Sequence, residues 1–180
     1  MTTDHLEALR FPIGRFTFGG SFTAEDNERN ISRIEALPGK LRDLVSTLSE
    51  EQLATHYRPD GWTVRQVVHH LADSHMNSYI RFKLALTEEH PTIRPYDEAA
   101  WAELPDGKGL EVNVSLSLLQ ALHTRWVAML RTMKPEDFQR TFFHPEHSKT
   151  FPLDDILAMY AWHCDHHFEH INRLAERNGW

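Results

Sequence analysis

The 180-residue chain has a single cysteine, Cys164, so no disulfide can form within it. That fits a reducing compartment, and the cytoplasm is the expected location. No apolar run approaches the ~20 residues that a membrane helix needs, so no membrane association is expected. The opening stretch MTTDHLEALR has no basic start followed by an apolar core, so a secretory signal is not expected there. Basic charge is also short: 19 Lys and Arg stand against 26 Asp and Glu, a net charge of −7. Nucleic-acid binders usually present a basic face, so no nucleic-acid partner is expected; the expected partner is a small-molecule substrate. Repeats and low-complexity segments are missing too. The length fits one domain, spanning 1–180.

Histidine is what the sequence has in quantity, with thirteen in all. Four fall within YAWHCDHHFEHI, Tyr160 to Ile171, and three within VVHHLADSH, Val67 to His75. Their placement depends on the elements that carry them. Residues 1–24, with Pro12, Gly14, Gly19 and Gly20, read as an irregular arm. Ile31, Ile34, Leu37, Leu41, Leu44 and Val45 have helical spacing, with Thr23 and Asp26 placed to cap the start. Pro38 inside this helix predicts a kink or a break, because it removes an internal hydrogen bond. Ser49 caps a short turn of helix, and RPDGW is a turn.

A second helix is expected from Thr63 to about Leu86. Residues 88–113 form a long connection whose Tyr96 and Trp101 argue for packing rather than disorder. Ser115 is the candidate cap of a third helix that runs to about Met133 and ends before Pro135. A short hairpin over 138–153 precedes a last helix from about Leu153 to Arg177. The fold class is therefore all-α: a four-helix bundle, an architecture that often builds metal sites between its helices.

Helical geometry divides the histidines of the last helix. Leu153, Ile156, Leu157, Tyr160, Cys164, Ile171 and Leu174 form its apolar stripe. With Tyr160 at zero, His167 falls at about −20° and His163 at about −60°, at the edge of that stripe. His170 at about −80° and His166 at about −120° lie progressively further towards solvent. His163 and His167 are thus an i, i+4 pair whose imidazoles can share one ion. Cys164 reads as a small core residue. On the second helix His75 falls in the middle of the buried face, His69 roughly opposite, and His70 on a flank. His70, Ser74, Asn77 and Arg81 share one strip, which can be a pocket wall or a solvated face.

The stretches RPDGWTVRQVVHHLADSH and YAWHCDHH resemble the DinB superfamily, and within it the YfiT-like metal-dependent hydrolases. The resemblance covers the chain from about residue 25 to the C-terminus. It implies a four-helix bundle and one divalent metal per chain, zinc or nickel, held by His70, His163 and His167. A homodimer is implied as well. His170 stands late in the last motif as a supporting or pocket-rim residue. Arg81, Asn77, Ser74, Tyr96 and Trp101 are the expected substrate-binding residues. Asp73, Asp165 and Glu169 are candidates to orient ligand imidazoles, and His144 and His147 are surface or pocket-mouth residues. Three imidazoles leave zinc an open position. Two chemistries follow: metal-assisted hydrolysis of a carbonyl compound, or S-transfer from a low-molecular-weight thiol of the bacillithiol type to an electrophile. A metal-binding stress-response module without turnover is the third reading.

Overall fold

The computed structural model describes residues 3–180. In chain order the elements are α1 (Thr3–Arg10), α2 (Ala24–Val45), α3 (Glu50–Leu53), α4 (Val64–Thr87), α5 (Glu98–Ala102), α6 (Pro105–Gly109) and α7 (Val112–Leu130). A 3-10 turn at Asp137–Gln139, strands β1 (Thr141–His144) and β2 (Lys149–Pro152), and α8 (Leu153–Asn178) complete the chain. The long helices α2, α4, α7 and α8 form the bundle. Their apolar faces meet in one core, where Ile34, Leu71, Phe82, Leu116, Trp126 and Leu157 are wholly buried.

The principal packings are α2 on α8, α4 on α7, α2 on α7 and α4 on α8. Consecutive helices α2 and α4 therefore stand diagonally, as do α7 and α8. Residues 46–63 and 131–152 make these two diagonal steps across the ends of the bundle.

Capping boxes start α2 at Thr23 with Asp26, α3 at Ser49 with Gln52, and α4 at Thr63 with Gln66. The caps at Thr23 and Ser49 were expected from the sequence. Several other expectations are corrected. Residues 3–10 are helical rather than irregular. The connection over 88–113 contains the short helices α5 and α6, and α7 starts at Val112 behind Glu111, not behind Ser115. Ser115 is buried instead, bonded to His69. α7 ends at Leu130, short of Met133.

Pro38 does not break α2, which runs through it with the proline buried. Proline has no N–H, so the carbonyl of Ile34 loses its helical donor. His123 Nδ1, on the neighbouring α7, lies 2.6 Å from that oxygen and replaces the missing bond.

Two further features position the site. The hairpin pairs Phe142 with Phe151, and both rings are buried. The peptide of Phe143 also bonds Pro91 and Ile93, at 2.9 and 3.0 Å, which holds the 91–98 segment beside His144. The N-terminal arm is fastened to α8. Gly19 donates its N–H to both carboxylate oxygens of the buried Asp155, each at 3.0 Å. Its φ of 87° lies in the left-handed region that glycine tolerates.

Removing the cap of the helix that carries His70 should be measurable. Thr63→Ala is expected to cost about 1 kcal/mol in urea unfolding, with an unchanged m value.

Candidate metal centre

His70 on α4 faces His163 and His167 on α8, and one ring nitrogen from each lies within 4.8 Å of the others. His70 Nε2 and His163 Nε2 are 3.3 Å apart. Zinc–nitrogen bonds of ~2.0–2.1 Å put the ligand atoms of a tetrahedron about 3.3–3.4 Å apart, so this spacing fits a shared ion. The rings are close-packed: His163 and His167 have centroids 4.4 Å apart, and His70 and His167 4.8 Å. Trp62 lies against His70 at 4.6 Å.

Burial, more than neighbouring charge, keeps these imidazoles neutral. It lowers the pKa of His70 to about 3, with the charge of His166 adding to the effect. His163 and His167 are held well below the usual histidine range by burial first and by the other histidines second. A neutral imidazole keeps a lone pair for a metal, so the set is ready to ligate at neutral pH.

Two clefts meet at this cluster. The larger, about 670 Å³, is lined by Ser74, Arg81, Tyr96, Glu98, His144 and His163 among others. The smaller, about 310 Å³, is lined by Arg10, Arg58 and Trp62 together with His70, His163, His166, His167 and His170. His163 and Glu98 line both.

Of the expected substrate-binding residues, Ser74, Arg81 and Tyr96 thus share one cleft and His170 sits in the other. Asn77 and Trp101 line neither: Asn77 bonds the Asp73 carbonyl, and Trp101 packs on the Tyr96 ring at 4.5 Å. His144 and His147 both line the larger cleft.

The structure corrects the view of His166 and His170 as outward-facing, since both are buried. The N-terminal arm covers that side of α8. Phe11 packs on the His166 ring, and His170 Nε2 donates to the Arg10 carbonyl at 3.0 Å. His69 is buried too, bonded to Ser115 and to the Leu110 carbonyl. Asp165 and Glu169 bond Arg33 and Arg173 rather than an imidazole. The neighbours of His163 and His167 are other histidines: His75 Nε2 lies 3.0 Å from His163 Nδ1, and His170 Nδ1 lies 3.3 Å from His167 Nδ1. His166, His167 and His170 form a second set within 4.8 Å. It shares His167 with the first set and draws all its members from one helix.

Sequence reasoning missed His123 and Glu98. His123 was accessible to it, because the helical spacing of Leu116, Leu119, Trp126 and Leu130 puts His123 on the buried face of α7. Glu98 carried no such signal; it starts α5, a short helix that packs on α4.

Comparison with known proteins decides the family. The DinB superfamily model matches residues 33–171. The chain belongs to the DinB superfamily. It is 52% identical over 172 residues to the Bacillus subtilis protein named "Putative metal-dependent hydrolase YfiT", covering 96% of this chain and 97% of that one. A Bacillus mycoides relative with the same type of name is 53% identical over 175 residues, covering 97% of this chain and 100% of the relative. The solved YfiT structure, described as "a probable metal-dependent hydrolase with an unusual four-helix bundle topology", aligns with a TM-score of 0.94 at 51% identity, over 96% of this chain and 99% of that chain. A mycothiol-dependent maleylpyruvate isomerase shares the fold at a TM-score of 0.61 and 16% identity, over 81% of this chain and 63% of that one.

The buried imidazoles predict acid lability of the metal-free protein. An unfolded histidine titrates near 6.5, whereas His70 and His170 titrate at about 3 and His123 and His166 at about 4. Between those values the unfolded state binds more protons, so stability falls as the pH drops below about 6.5. Each such histidine steepens the loss by up to about 1.4 kcal/mol per pH unit. Urea midpoints of metal-free protein should therefore fall sharply from pH 7.5 to pH 5; a flat profile would contradict this.

Proposed function

We propose that the chain is a metal-dependent hydrolase in which His70, His163 and His167 hold one divalent ion, zinc or nickel. The observation that carries this reading is the set of three neutral imidazoles, two with Nε2 atoms 3.3 Å apart, where two clefts converge. The names borne by relatives more than half identical support it. Among the described residues this donor set has three members, which leaves coordination positions for a reactant. A bound ion supplies Lewis acidity: it polarises a carbonyl and acidifies water or a thiol.

The chain's own residues do the rest. Arg81 offers positive charge to an anionic group of the substrate in the larger cleft, whose wall also includes His144 and His147. Ser74, bonded to the Tyr160 hydroxyl at 3.3 Å, forms part of the wall beside the cluster. Glu98 takes or returns a proton at its carboxylate. Partial enclosure and then the charges of Glu146 and Asp97 raise its pKa above the ordinary value, which favours that exchange.

The two clefts meeting at His163 favour a second reading, S-transfer, because each cleft can admit a separate reactant. A low-molecular-weight thiol would occupy one and an electrophile the other.

Elemental analysis tests the metal set. The wild type should carry about one ion per chain, and His70→Ala and His167→Ala should lose it while remaining folded by circular dichroism. Unchanged metal content in both variants would sink the reading. The loaded protein is then incubated with ester, amide and alkyl electrophiles, with and without bacillithiol, and followed by mass spectrometry. Turnover without thiol supports hydrolysis, and thiol-dependent conjugates support S-transfer. Glu98→Gln should lower either rate about 10²-fold while retaining the metal.

A further inference from the structure

A row of buried histidines leads from α2 to the metal centre, and its hydrogen bonds can run in only one direction. It begins at the Ile34 carbonyl, left without a helical donor by Pro38. His123 Nδ1 lies 2.6 Å from that oxygen, and His123 is 1% exposed. A carbonyl can only accept, so Nδ1 of His123 carries the hydrogen. A neutral imidazole has one N–H and one lone pair, so Nε2 of His123 is an acceptor. His75 Nδ1, 2.8 Å away, must be the donor to it. His75 is completely buried, and its Nε2 is left to accept from His163 Nδ1 at 3.0 Å. The lone pair of His163 is thereby placed on Nε2, the atom 3.3 Å from His70 Nε2.

We infer that Pro38, His123 and His75 are positioning residues that lock His163 into the tautomer offering Nε2 to the metal, with the freed Ile34 carbonyl as the fixed end of the relay. A shorter relay sets the other α8 ligand in the same way. His170 Nε2 donates to the Arg10 carbonyl, so His170 Nδ1 accepts from His167 Nδ1 and leaves His167 Nε2 free. The inference rests on the proposed metal set, but it makes a claim of its own about the metal-free protein.

The test reads hydrogens directly. Metal-free wild type, 15N-labelled at histidine, is examined by long-range 1H–15N correlation. His163, His75 and His123 should all be Nδ1–H tautomers. A hydrogen on Nε2 of His163 overturns the relay, and this measurement needs no variant. His123→Phe should leave His163 as a tautomer mixture and weaken cobalt binding 10–100-fold, with a changed cobalt absorption spectrum. His75→Gln keeps an acceptor for His163 and a donor for His123, and should recover most of the affinity. A folded His123→Phe protein with unchanged tautomer and unchanged cobalt affinity also overturns the relay. If wild type binds no cobalt yet His163 is Nδ1–H, the metal reading fails and the relay stands.

Discussion

A buried imidazole must stay neutral, and a neutral imidazole has one nitrogen that gives a hydrogen and one that takes it. Among the described residues, seven histidines on the long helices are buried, and His163 is half-buried among them. Each constrains the next, so fixing one end of a row fixes the whole row. Here the fixed ends are backbone carbonyls, which have no second option. The proposed metal centre depends on this directional constraint as much as on the three histidines proposed to hold the ion. Carboxylates, the usual partners of ligand histidines, are engaged elsewhere: Asp165 with Arg33 and Glu169 with Arg173.

The same burial creates a liability. A core of imidazoles is one that acid can charge, and the apolar residues around it provide no counterion. Leu71, Phe82, Trp126 and Leu157 supply the surrounding stability, and the capping boxes of α2 and α4 hold in place the helices that carry His70 and the Ile34 carbonyl. The arm adds a further layer. By fastening Gly19 to Asp155 and the Arg10 carbonyl to His170, it shields one side of α8 from water. The larger cleft remains open on the other.

Much of this was legible in the sequence, for identifiable reasons. The four long helices follow from 3.6-residue spacing and from side-chain caps, which are local signals. The pairing of His163 with His167 follows from one turn of helix. His166 was misplaced because its cover comes from Phe11, in an arm without periodicity, more than a hundred residues away. His69 was misplaced because the α6–α7 segment folds over it. Ser115 looked like a cap because it precedes an apolar run, yet its hydroxyl is used by His69. Pro38 signalled a fault in α2. The sequence could not indicate that α7 would bring His123 to repair it, because that contact exists only in the packed bundle.

Pro38 matters for anyone who would move this centre into another protein. Copying His70, His163 and His167 onto a designed bundle would transfer three imidazoles without their orientation. Adding His75 and His123 would still leave the row free to reverse, because an ordinary helix uses its carbonyls internally. What makes the Ile34 carbonyl available is a residue one turn further along α2 that touches no metal and donates no hydrogen. Orienting His163 alone therefore takes three side chains beyond the ligands, and the one a designer would normally delete first is the proline.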